Sequence, residues 1–346
     1  MSKFGEVVMG KRLLAMFMIA ILLMIGLVGC AMGNESVSQE EEESTKVVLN
    51  EVAHSVFYAP MYVAIEEGYF AEEEIDLELV TGFGADKVMT ALIADEAQIG
   101  FMGSESSIYA YNEGANDYVV NFAQLTQRAG NFLVCREPAK DFKWEDLKDS
   151  YVLGGRKGGM PQMVFEYVLK QHGLDPQKDL KINQNIDFGA TAAAFSEGQG
   201  EYTVEFEPHA TSLEMEGKGV VIASLGEESG YVPYTAFSAK KSYIRANPDV
   251  IQGFTNALQK GMNYVNSHTS EEIAKVIAPQ FNETDMETLT TIVARYYNQD
   301  TWKKDLVFEK DSFELLQDIL EEAGELTKRA PYEELVNTEF AIEAAK

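Results

Sequence analysis

The feature that most constrains this chain is an alternation of strand-like and helix-like segments that starts near Thr45 and runs twice. Lys46-Val47-Val48-Leu49 is a short β-rich run. From Tyr58 to Phe70 apolar residues recur at helical spacing (Met61, Ala64, Ile65, Phe70), and Gly68 stands where helices stop. Ile75 to Val80 alternates as a strand does. Ala85 to Asp95 is amphipathic, with Val88, Leu92 and Ile93 on one side, and Gln98 to Met102 is strand-like again. Strands and helices in tandem predict an α/β sheet. A second series begins at Tyr151-Val152-Leu153, with a helix over 161–172, a strand over 180–186, a helix over 191–197, and strands over 202–206 and 219–225. The rest reads as helices over 248–267, 270–278, 285–298 and 311–323, with Ser270 and Thr284-Asp285 as starts. Two α/β units and a helical tail follow, with joints near 137–149 and 227–234. A length of 346 residues is enough for two such units, each with its own core.

Charge narrows the partners. The chain has 28 basic and 56 acidic residues, a net −28. A surface that negative repels phosphate backbones and anionic headgroups, which excludes nucleic acid as a partner. Residues 1–29 read as a bacterial signal peptide: Lys3, Lys11 and Arg12 precede an apolar stretch from Leu13 to Val28. That stretch is shorter than the ~20 residues of a spanning helix. It ends in Leu27-Val28-Gly29-Cys30, which resembles the lipobox of bacterial lipoproteins. The resemblance implies a diacylglycerol-modified Cys30 on the extracytoplasmic face of the cell membrane. With Lys3, Lys11, Arg12 and Glu6 removed, the remainder carries −30. Residues 30–45, with the run Glu40 to Glu43, are too polar to bury surface and are expected to form an acidic tether. Cys135, in the run Phe132-Leu133-Val134-Cys135, reads as a buried structural thiol.

Ligands of open α/β sheets bind at the carboxyl ends of strands, beside helix N-termini. Four loops occupy such places. His54-Ser55-Val56-Phe57-Tyr58 offers Ser55 and two aromatics, Phe57 and Tyr58, which either stack on a ligand or pack the helix on its sheet. Thr81-Gly82-Phe83-Gly84 lets the backbone approach a ligand at Phe83 and Gly84, but lacks the third glycine of a dinucleotide fingerprint. Gly103-Ser104-Glu105 puts Ser104 and Glu105 at a helix start, where Ser104 either donates to a ligand or caps the helix. Gly154-Gly155-Arg156-Lys157-Gly158-Gly159-Met160-Pro161 is cationic through Arg156 and Lys157, with Gly158 and Gly159 before a helix. It reads as an anion site or as an exposed turn, and it lacks the Gly-Lys-Ser/Thr ending of a P-loop. Phe188 and Thr191 lie at a further helix start. Glu205 and Glu207 end a strand, where they would accept from a ligand amine or pair with Arg156 or Lys157. The four histidines, His54, His172, His209 and His268, show no metal-ligand spacing, and no nucleophile motif is present. No catalytic residue, metal or cofactor is expected.

These segments together resemble the family of ABC-importer binding proteins that groups the nitrate, sulfonate and taurine binders with the thiamine-pyrimidine precursor binders. The likeness lies in Tyr58 to Phe70, Gly84-Ala85-Asp86-Lys87-Val88, Ala97 to Glu105, Gly155 to Pro161 and Phe206-Glu207-Pro208. It implies a type II periplasmic-binding-protein fold, in which two lobes close on a ligand cleft. Lobe 1 would be 46–140 plus 234–346, and lobe 2 would be 141–233. It implies a monomer that captures a small molecule and docks on an ABC permease. A sulfonate would favour the Arg156-Lys157 loop, and a pyrimidine or flavin-like ring the Phe57-Tyr58 loop. A ligand-sensing module for a membrane receptor is the alternative. A pyrimidine-synthase-like enzyme is a weaker one, because the cysteine-rich iron motif of the fungal synthases is missing.

Overall fold

The computed structural model describes residues 44–138, 141–186 and 189–346. The signal peptide, Cys30 and the tether up to residue 43 lie outside the described residues, as does Phe188. The strands are β1 (Thr45–Glu51), β2 (Ile75–Thr81), β3 (Ile99–Gly103), β4 (Val119–Thr126), β5 (Asn131–Cys135), β6 (Tyr151–Leu153), β7 (Lys181–Asn183), β8 (Tyr202–Phe206), β9 (Val220–Ser224) and β10 (Thr235–Lys240). They form two five-stranded sheets, ordered β2-β1-β3-β10-β4 and β7-β6-β8-β5-β9.

The sheets share one plan. β1 runs parallel to β2 and β3, and β6 parallel to β7 and β8. Each sheet then takes in one antiparallel strand, β10 between β3 and β4 and β5 between β8 and β9. The chain therefore crosses from the first sheet to the second over 127–130 and returns over 225–234. This exchange is the type II periplasmic-binding-protein topology. The return, with Gly226, Gly230 and Pro233, leads from β9 into β10. The outward crossing lies upstream of the expected 137–149, because β4 and β5 follow each other closely and only their pairing assigns them to different sheets.

Close packing sets the sheet edges that carry the loops. β3 is buried along its whole length, and a Cβ on Gly100 would lie 2.6 Å from the Leu92 side chain on the helix Ala85–Ile93. Phe101 and Phe237, paired in register across β3 and β10, stack with centroids 4.1 Å apart. The helix Pro248–Ser267 buries Ile251, Phe254, Leu258, Met262 and Val265, an apolar stripe at helical spacing. It lies against the helix Ala59–Glu66 through Gly261, where a Cβ would overlap the Pro60 carbonyl oxygen.

The C-terminal helices touch both sheets' surroundings. The helix Lys310–Glu322 packs on Met160–Gln171 and on Glu105–Asn112. Trp302 Nε1 donates to the Phe57 carbonyl at 2.9 Å, and Gln299 Nε2 to the Ala129 carbonyl at 3.1 Å. The first bond ties the tail to the loop after β1 and the second to the outward crossing. Among the described residues no helix is long and apolar enough to cross a membrane.

Candidate functional site

The loops that end β1, β2 and β3 on one sheet and β6 and β8 on the other line a common cavity. Val52, Tyr58, Gly84, Gly103 and Glu105 come from the first, and Arg156, Gly159, Met160, Pro161 and Phe206 from the second; Tyr234 lies on the return crossing. The space counted out to the mouth is about 550 Å³. An adjoining pocket of about 650 Å³ shares Tyr58, Arg156, Pro161 and Phe206 and adds Ser55, His54, Thr191, Glu205 and Glu207.

One wall is aromatic. Tyr58 lines both pockets, and its ring meets Phe101 at 4.5 Å. Phe57 does not reach the cavity. It is fully buried behind Tyr58, Phe206 and Tyr234, with centroids 5.2, 5.8 and 5.6 Å away. Gly130 lies so near that an added Cβ would sit 2.5 Å from the Phe57 ring. Of the two readings of this loop, Phe57 serves packing and Tyr58 faces the space. Burial raises the Tyr58 and Tyr234 hydroxyls far above their ordinary range, so both remain neutral donors.

The floor joins the two sheets. Ser55 Oγ donates to the Glu207 carbonyl at 2.7 Å. Glu207 is 1% exposed and its carboxylate is engaged by Thr211 and Arg295. Its partner is therefore Arg295, on the helix Met286–Asn298, and not Arg156 or Lys157. Beside the floor, Glu51 is fully buried and accepts from Tyr62 Oη at 2.6 Å and Thr81 Oγ1 at 2.8 Å. His54 Nδ1 meets Glu51 at 2.9 Å while Nε2 meets the Gln280 carbonyl at 2.8 Å. Two acceptors on opposite ring nitrogens call for an imidazolium. Burial lowers the His54 pKa, but Glu51 and Gln280 outweigh it and hold it above the usual value.

Two carboxyls give the cavity its chemistry. Glu205 is 3% exposed and accepts from Thr203 Oγ1 at 2.5 Å and Thr191 Oγ1 at 3.1 Å. Burial outweighs those bonds and pushes its pKa up to about 7. Glu105 is equally buried, and its pKa is also pushed up to about 7. Desolvation is the main cause, opposed by its own amide, the Met160 amide and Arg156. Glu105 Oε2 has no hydrogen-bond partner, nor does the hydroxyl of Ser104. Ser104 stands at the N-terminus of its helix without a side-chain cap bond, so of its two readings the cap does not form.

The cationic loop differs from the reading of it as an anion site. Arg156 lines the cavity but pairs with Asp86 Oδ1 at 3.1 Å across the mouth. Lys157 is turned outward, its side chain 70% exposed and 3.7 Å from Glu325. Gly158 faces an outer groove rather than the inner space, and its carbonyl accepts from Tyr109 Oη at 3.2 Å. Phe83 is 60% exposed and lines neither pocket. Thus Ser55, Tyr58, Gly84, Glu105, Arg156, Gly159, Thr191 and Glu207 are brought together. Tyr234 joins them without having stood out as a site residue in the sequence. Tyr234 carries no local signal, because its place on the crossing exists only once both sheets form. Among the described residues no group of three His, Cys, Asp or Glu side chains is placed to hold a metal ion.

Comparison with known proteins places this geometry. Residues 40–278 match the profile of the NMT1-like family. YtlA of Bacillus subtilis (strain 168), a proposed binding protein, is 47% identical over 322 residues, covering 93% of this chain and 94% of its own. The fold is shared with the ligand-binding component of an ABC-type import system from Staphylococcus aureus, solved with zinc bound (TM-score 0.72, 16% identity, 87% of this chain and 99% of that one). It is shared with the alkanesulfonate-binding protein SsuA of Xanthomonas axonopodis pv. citri bound to MOPS (TM-score 0.70, 16% identity, 86% and 99%). The periplasmic nitrate-binding protein NrtA of Synechocystis PCC 6803 is similar as well (TM-score 0.69, 16% identity, 88% and 89%).

Proposed function

The chain belongs to the NMT1-like family, and we propose that it is the extracytoplasmic solute-binding component of an ABC importer whose solute is a flat heteroaromatic amine. The observation that carries this reading is the pair of buried carboxyls, Glu105 and Glu205, beside the aromatic ring of Tyr58. Carboxyls near neutrality accept from, or donate to, ring nitrogens and exocyclic amines, while Tyr58 and Phe206 cover the ring faces. A sulfonate finds less: Arg156, the one Arg or Lys among the described residues lining either pocket, already holds Asp86. An aminopyrimidine of the thiamine-precursor type suits these groups.

In this reading the two sheets, each with its helices, are the two lobes, and 127–130 and 225–234 are the hinge. Closure around solute would form the surface that docks on a permease. Cys30 carries the lipid, the acidic residues that follow it up to β1 are the tether, and the protein works as a monomer. It performs no catalysis. Calorimetry with the hydroxymethyl-aminopyrimidine of thiamine, methanesulfonate and nitrate tests the solute class. Binding of the aminopyrimidine at about micromolar Kd is the expected result; tight methanesulfonate or nitrate binding with no aminopyrimidine binding overturns it.

A further inference from the structure

We propose that Glu105 is the residue that keeps anions out of the cleft, its buried carboxyl sharing the cavity with Arg156 and the N-terminus of the helix Met160–Gln171, where an anion would otherwise bind. The inference rests on the solute-binding reading of this cavity. That anion site begins with sequence. The helix Met160–Gln171 has 12 residues, and its N-cap is Gly159, which has no side chain to satisfy the first amides. Such an end attracts an anion. Arg156 adds a charge beside it.

The anion supplied is internal. Glu105, at the start of the helix Glu105–Asn112 on the opposite side, has the Met160 amide and the Arg156 charge favouring its ionised form. It can lie there because Gly103 has no side chain: a Cβ at that position would overlap Glu105 Oε2. Oε2 itself is buried, lacks a partner and belongs to a side chain that lines the cavity. The carboxyl therefore stands in the same cavity as Arg156 and Met160, and Oε2 remains for a solute N–H. Asp86, 3.1 Å from Arg156, offsets the guanidinium from outside. An incoming sulfonate would meet an ionised Glu105 where it needs amides and a free cation. The other groups acting on Glu105 are the hydroxyls of Tyr58, Tyr109 and Tyr234, all held neutral by burial.

Calorimetry on the purified chain tests this with methanesulfonate and the hydroxymethyl-aminopyrimidine of thiamine. E105A should bind methanesulfonate about tenfold tighter than the unaltered chain and the aminopyrimidine about tenfold weaker. Adding R156A to E105A should abolish the sulfonate gain. E105Q keeps the volume and removes the charge, so it should show a smaller gain of the same sign. It also answers the question if E105A does not fold. In the unaltered chain methanesulfonate affinity should rise as pH falls from about 8 to about 6, through protonation of Glu105, and in E105Q this rise should shrink. The inference is overturned if neither variant binds methanesulfonate tighter than the unaltered chain. A sulfonate gain in E105A, with no aminopyrimidine binding by the unaltered chain, would retain the role of Glu105 and discard the solute class.

Discussion

Replacing Glu205 by Gln offers a direct measure of the buried carboxyl that defines the cavity. Glu205 is 3% exposed and its pKa stands at about 7 instead of 4.5. The difference of about 2.5 units corresponds to ~3 kcal/mol, at about 1.4 kcal/mol per unit. The sign follows from proton counts. Between pH 4.5 and 7 the folded chain holds a proton on Glu205 that the unfolded chain releases, so rising pH favours unfolding. The stability associated with the protonated group is fully present below the unfolded pKa and is lost by the time pH passes the folded one. Gln cannot ionise and is free of this loss. It cannot accept at both ends from Thr203 and Thr191, so a pH-independent cost of ~1 kcal/mol is expected. Urea unfolding of both proteins from about pH 4.5 to about pH 8 should show E205Q gaining ~3 kcal/mol on the unaltered chain across that window, with little change above it. Glu105 and the other carboxyls are common to both and cancel in the difference. A difference that stays constant with pH would mean that Glu205 is ionised in the folded state, and the neutral, proton-sharing cavity would be wrong.

Two further outcomes are expected. G261A should destabilise the fold by ~1–3 kcal/mol in urea, because its Cβ would press on the Pro60 carbonyl and push apart the helices Ala59–Glu66 and Pro248–Ser267; a change within ~0.3 kcal/mol would contradict that contact. H54Q should remove a stabilisation that is full below the ordinary histidine pKa and fades as pH rises through the higher folded value, because His54 is held as an imidazolium by Glu51 and Gln280. Unfolding curves of the two proteins should therefore draw closer with rising pH, and curves that diverge instead would refute the charged His54.

The alternating segments, the amphipathic helices and the loops after β1, β3, β6 and β8 could be read from residues alone, because they depend on short-range periodicity and on glycine and capping chemistry. Tyr58, Glu105 and Arg156 were legible on those loops for the same reason. β4 and β10 were not. Asn121 and Gln124 make β4 look polar, yet both are buried because Asn121 donates to Ser107 and the Leu335 carbonyl, and Gln124 Nε2 to the Thr126 carbonyl. β10 is short, carries Thr235 and Ser238, and becomes a central strand only between β3 and β4. The sign of the site was hidden in the same way. Arg156 and Lys157 look like an anion loop in isolation, but Asp86, Glu325 and Glu105 meet them from distant segments. Sequence by itself determined which segments would be strands, helices and binding loops. Tertiary structure decided which sheet each strand joined and which charges were already paired, since pairing, burial and desolvation depend on neighbours that the chain brings together only when folded.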